Sequence, residues 1–160
     1  MRVCQQQDNA QRSLVAEIIE TFVEKRKTPV KALGEIALRV DDLAAMRKFY
    51  QEAMGLELMG ESPTAVFFRI AEGYGGHTQV LALFDRSGSR DYQGVDANKS
   101  TVDHIALTIS LADFVSEKER LERLGLRVET AEHKWVHWRS LYVSDPEGNQ
   151  VELVCYDASV

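Results

Sequence analysis

Beyond residue 30 the chain alternates short stretches of period-two patterning with two stretches of helical periodicity, and the order of these elements repeats. In Gly34-Glu35-Ile36-Ala37-Leu38-Arg39-Val40 the apolar Ile36, Leu38 and Val40 fall on one side of a strand, with Glu35, Ala37 and Arg39 on the other. Asp103-His104-Ile105-Ala106-Leu107-Thr108-Ile109 repeats this pattern at an offset of 69 residues, which puts His104 in the place of Glu35. A helix is predicted after each strand, over 42–52 with Leu43, Met46, Phe49 and Tyr50 inward, and over 111–123. Gly55 and Gly125 sit where each helix needs a left-handed stop. Strands over 78–84 and 150–156 close the two halves, and the Gly-, Ser-, Asp- and Asn-rich run 87–100 reads as the linker between them. The predicted class is therefore α+β, with two βαβββ modules over about 31–86 and 101–157.

An N-terminal extension, residues 1–30, precedes the modules. Leu14, Val15, Ile18, Ile19, Phe22 and Val23 line one face of an amphipathic helix that Ser13 caps and Pro29 ends. Such a helix packs on the domain or across a dimer interface. Glu17, Glu20 and Glu24 on its polar side would be repelled by anionic lipid.

Composition narrows the partners. The chain has 160 residues, a one-domain length, with 44% hydrophobic and 28% charged residues. Its net charge of −6 and pI near 5.3 have the wrong sign for holding phosphate backbones, so no nucleic-acid partner is expected. Cys4 and Cys155 form neither a disulfide framework nor a Cys-x-x-Cys site, which fits a reducing cytoplasm. No apolar run approaches the roughly 18 residues of a membrane span, and no signal-peptide core is present. A small molecule remains as the expected partner.

Three residues carry candidate chemistry. Glu35 and His104 lie on the strand faces opposite the apolar rows that the helices cover, so both are expected to line a groove. Glu152, in Gln150-Val151-Glu152-Leu153-Val154, is a carboxylate among apolar strand neighbours. Buried carboxylates are paired or metal-bound, because an isolated ionised one costs several kcal/mol.

The run Phe49-Tyr50-Gln51-Glu52-Ala53-Met54-Gly55-Leu56, the strand Asp103-His104-Ile105-Ala106-Leu107 and Asp145-Pro146-Glu147-Gly148-Asn149-Gln150-Val151-Glu152-Leu153 together resemble the vicinal oxygen chelate superfamily of glyoxalases, bleomycin-resistance proteins and extradiol dioxygenases. The resemblance implies that the βαβββ modules pair edge to edge into a cupped mixed sheet holding one divalent metal, Fe, Mn, Zn or Ni. By position it implicates Glu35, Gln79, His104 and Glu152 as ligands, and a one-residue shift would exchange Gln79 for Val80. Glu35 departs from the pattern, where His or Gln is usual. Two carboxylates and one imidazole favour harder metals. The alternative for Glu35 is a salt bridge with Arg39 or Arg69 in a cup without metal.

The C-terminal half resembles the extradiol dioxygenase signature, with Tyr142 and His133 lying 10 and 19 residues before Glu152; Ala131 stands at the signature's first position in place of the usual residues. The resemblance makes His133 an acid/base group and Tyr142 a hydrogen-bonding partner of substrate. Further candidates for lining the cup are Arg69, His77 in its Gly-rich turn and His137 in Lys134-Trp135-Val136-His137-Trp138-Arg139. Two functions follow as expectations. One is a homodimeric metalloenzyme, acting as a ring-cleaving dioxygenase or as a glyoxalase- or epimerase-like lyase/isomerase with Glu35 or Glu152 as base. The other is a metal-free ligand-binding protein of the bleomycin-resistance kind.

Overall fold

The computed structural model describes residues 29–96 and 101–160; the helix expected over 13–27 lies outside the described residues. Strand β1 (Glu35–Val40) leads into helix α1 (Leu43–Lys48), capped by Asp42, whose side chain accepts from the Ala45 amide at 2.9 Å. The helix widens into a π turn, Phe49–Ala53, in which the Met54 amide reaches back to the Phe49 carbonyl at 3.0 Å. That turn buries Phe49, Tyr50 and Ala53 together. Gly55 (φ 69°) then breaks it in the left-handed region, as the sequence predicts. Strands β2 (Glu57–Ser62), β3 (Ala65–Glu72) and β4 (Thr78–Asp85) complete the first module.

The second module follows the same plan. Strand β5 (His104–Thr108), a 3₁₀ turn (Leu111–Asp113) and helix α2 (Phe114–Arg123) precede β6 (Glu129–His133), β7 (Trp138–Ser144) and β8 (Gln150–Tyr156). The sheets are mixed, in the orders β1-β4-β3-β2 and β5-β8-β7-β6, with β1/β4 and β5/β8 parallel and the other pairs antiparallel. The α+β class with two βαβββ modules is what the structure shows.

Met46, Tyr50, Phe68, Leu81, Leu121, Leu141 and Val151 belong to one buried cluster that draws on both modules. Polar bonds reinforce it. The Tyr50 hydroxyl donates to Asp145 Oδ2 at 3.0 Å, and the amides of Asp41 and Asp42 both donate to Glu147 Oε1 at 2.7 Å. Arg120 of α2 donates to the carbonyls of Glu52 and Ala53, supplying partners for the end of the π turn. Within one chain, then, the modules meet through their helices and turns. The cupped sheet implied by edge pairing is not closed there, since β1 and β5 each remain the edge strand of their own sheet.

The turn before β4 depends on a close backbone approach. The Gly73 amide donates to the His77 carbonyl at 2.8 Å, and a Cβ at Gly73 would lie 2.6 Å from that oxygen. Gly73→Ala is therefore expected to destabilise by about 1–3 kcal/mol, the usual cost of overpacking. Gly60→Ala, whose Cβ meets nothing within 4 Å, serves as the comparison in denaturant unfolding.

Candidate metal centre

The register of the second sheet assembles its polar residues. Ala106 and Tyr142 flank Glu152 from either side, and Ser140 stands opposite Val154. Period two then places His104, Glu152, Tyr142 and Ser140 on one face. Glu152 is only 4% exposed and Ser140 fully buried. The Ser140 and Tyr142 hydroxyls both donate to Glu152 Oε1, the latter at 3.0 Å. Oε2 faces His104 Nε2 at 3.1 Å. His133, at the end of β6, brings its Nε2 to 3.1 Å from the Tyr142 hydroxyl and to 4.0 Å from Glu152 Oε1.

The donor set suits a cation. Asp103 Oδ1 lies 2.6 Å from His104 Nδ1 and fixes the orientation of the ring; in the tautomer that carries its proton on Nδ1, the Nε2 lone pair faces Glu152 Oε2. In that tautomer a cation beside the two atoms would relieve the repulsion of their electron pairs; a proton on Nε2 would do the same as a hydrogen bond. Ligands about 2.1 Å from one metal and at right angles lie about 3 Å apart, which is the separation seen. Burial, followed by the hydrogen bond to Glu152, raises the Tyr142 pKa above the ordinary phenol value. The phenol therefore stays protonated at neutral pH and acts as a donor.

The first module contributes a separate surface. Glu35 lies opposite Val80 in the β1/β4 register, so Val80 shares its face, while Gln79 is on the other side of β4 and donates from Nε2 to the Glu72 carbonyl at 3.1 Å. The frame of β4 thus brings Val80, rather than Gln79, to Glu35. Arg69 is bonded to Glu72 and lies 3.8 Å from Glu57, and the Glu35 carboxylate makes no ion pair or hydrogen bond among the described residues. Its carboxylate lines a cavity of about 340 Å³ with Met59, Gly60, Phe67, His77 and Val80. The position corresponding to Glu152, two residues beyond the partner of the first-strand acid, is occupied here by Ala82.

Of the candidate residues, His104, Glu152, His133 and Tyr142 come together. Glu35 does not join them within one chain, and among the described residues no three His, Cys, Asp or Glu side chains form a group able to hold a metal ion. His137 lies apart from them, in the β6/β7 turn at φ 57°, with Nδ1 2.5 Å from the Val160 carbonyl. Sequence reasoning missed Ser140 and Asp103. Ser140 is detectable as the residue two before Tyr142 on the same strand face, and Asp103 as the carboxylate adjoining His104.

Comparison with known proteins identifies the family. Residues 32–153 match the family model of the Glyoxalase/Bleomycin resistance protein/Dioxygenase superfamily. The chain belongs to that superfamily. Among solved structures of this superfamily's fold, lactoylglutathione lyase from Agrobacterium tumefaciens is 33% identical, with TM-score 0.58 over 80% of this chain and 96% of that one. The fosfomycin resistance protein FosX from Listeria monocytogenes, solved as a point mutant with Mn(II) and 1S,2S-dihydroxypropylphosphonic acid, shares the fold at 23% identity, with TM-score 0.60 over 81% and 94% of the two chains. A curated relative, biphenyl-2,3-diol 1,2-dioxygenase 3 from Rhodococcus globerulus, is 28% identical over 127 residues, which is 79% of this chain and 64% of the relative's length. No helix among the described residues is long and apolar enough to cross a membrane.

Proposed function

We propose that the protein is a metal-dependent enzyme that holds a small oxygen-bearing substrate on one divalent cation. His104 and Glu152 of one chain supply two ligands, and Glu35 of a second chain supplies the third. The observation that carries this reading is the facing pair of His104 Nε2 and Glu152 Oε2, 3.1 Å apart, with Asp103 holding the imidazole. The edge strands β1 and β5 and the exposed Glu35 and His104 beside them favour a homodimer, since edge pairing with a second copy would cover both edges and bring the acids to the imidazole.

Within this class, ring-cleaving oxygen chemistry is favoured over proton-transfer isomerisation. Ala82 at the place where a fourth ligand could stand would leave three protein ligands and room for a chelating substrate. A metal bound there would act as a Lewis acid and as the platform for oxygen. The chain's own residues would do the rest. His133, within hydrogen-bond reach of Tyr142, is placed to take a proton from a substrate hydroxyl. Tyr142, kept protonated, would donate to a substrate oxygen that accumulates negative charge. The apolar wall of Met59, Phe67 and Val80 would exclude water from the partner's side of the cup.

Stoichiometric Fe or Mn in protein purified without a metal-binding tag, with oxygen uptake on adding catechols, is the expected result. Protein that takes up no Mn, Fe, Ni or Zn would instead be the ligand-binding kind. Sharing of the site between chains has its own test. Glu35→Ala and Glu152→Ala proteins are each expected to bind no metal. Mixed by co-expression they should recover about a quarter of the wild-type capacity, because half of randomly formed dimers are mixed and each has one intact site of two. Recovery of nothing would place the whole site within one chain.

A further inference from the structure

We infer that Ser140 is a positioning residue that fixes which oxygen of Glu152 meets the metal. The inference rests on the proposed metal site and goes beyond it, since Ser140 is neither a ligand nor a substrate contact. The two oxygens of Glu152 have different surroundings. Oε1 accepts from Ser140 and from Tyr142, and Oε2 is the one turned to His104. With Oε1 held by two donors, the carboxylate presents a single oxygen and binds through that atom alone.

The two donors differ in a way that assigns their roles. Tyr142 is partly exposed and also meets His133, so its hydroxyl is free to turn to a substrate. Ser140 has no exposure, and its hydroxyl donates to Glu152 Oε1. When Tyr142 leaves for a substrate, Ser140 alone keeps Oε1 satisfied and holds the side chain against rotation. Losing both donors would leave a buried carboxylate oxygen unpaired, which is costly enough to turn the side chain away from His104.

The test compares Ser140→Thr with Ser140→Val, which have nearly the same shape and differ in the hydroxyl. Metal-free proteins are titrated with Mn²⁺ and with Co²⁺, following Co²⁺ visible absorption, and each protein's thermal midpoint without metal is recorded as the measure of packing. Ser140→Val is expected to bind Mn²⁺ about 10- to 100-fold more weakly, the usual effect of losing a hydrogen bond to a metal ligand, with an altered Co²⁺ band, while Ser140→Thr stays near wild type. Ser140→Ala, which only removes volume and the hydroxyl, should follow Ser140→Val even if one of the larger side chains disturbs folding. Equal affinity across the three variants and wild type would overturn the inference while leaving the metal site standing. Wild-type protein that binds neither ion would overturn both.

Discussion

Replacing Glu152 by alanine is expected to reduce Mn²⁺ or Fe²⁺ content below about a tenth of an equivalent, a loss of more than roughly 100-fold in affinity. The side chain is the centre of the cluster. It supplies the ligand oxygen facing His104 Nε2, and its other oxygen gathers the Ser140 and Tyr142 hydroxyls. Alanine therefore removes a ligand and strands a fully buried hydroxyl. Glu152→Gln tests the charge separately: it keeps the shape and one acceptor oxygen but cannot offset a dication, so it should bind almost as poorly. Elemental analysis after dialysis checks both variants. Full metal content in Glu152→Ala would contradict the proposed centre.

The largest loss of stability is expected from a residue with no part in the chemistry, Asp145. It is 5% exposed, and its carboxylate accepts from the Tyr50 hydroxyl at 3.0 Å, from the amides of Glu147 and Asn149 at 3.0 and 2.9 Å, and from Asn149 Nδ2 at 2.8 Å. Asp145→Ala breaks the turn before β8 and leaves the fully buried Tyr50 hydroxyl without an acceptor in the junction between modules. The expected cost is about 3–5 kcal/mol in denaturant unfolding, in the range for stripping one partner from a buried charged network. Tyr50→Phe alone should cost about 1 kcal/mol, since Asp145 keeps its other donors. The double variant should lose less than the sum, because the phenylalanine no longer strands a hydroxyl. A cost under about 1 kcal/mol for Asp145→Ala would show that the turn stands without its carboxylate. The high Tyr50 pKa, caused first by burial and then by Asp145, agrees with a phenol held as a permanent donor.

Much of the module architecture is legible in periodicity. Ile36, Leu38 and Val40, and again Ile105 and Leu107, mark inward rows, and the strands predicted over 78–84 and 150–156 are found at Thr78–Asp85 and Gln150–Tyr156. Gly55 and Gly125 stop their helices with positive φ because no side chain penalises that conformation. The helix predicted over 42–52 is less fully specified, since periodicity does not distinguish an α-helix from one that widens to a π turn at Phe49. The spacing of His133, Tyr142 and Glu152 points to a group that does assemble, because β7 pairs with β8 so that Tyr142 stands opposite Glu152. Gln79 is ambiguous by one residue, and one residue is the whole difference between the two faces of a strand.

Local alternation, helix stops and charge are properties each segment carries within itself. They specify two βαβββ modules, the faces on which Glu35, His104 and Glu152 lie, and an acidic balance unsuited to nucleic acid. Packing in three dimensions sets the rest. The modules of one chain meet through Tyr50, Asp145, Glu147 and Arg120, which leaves β1 and β5 as edges and Glu35 apart from His104. Packing likewise has Ser140 and Tyr142 hold one oxygen of Glu152 while the other faces His104. A strand's alternation says which way its side chains point but not which edge it joins, and hydrogen bonds between distant residues exist only once the sheets have packed.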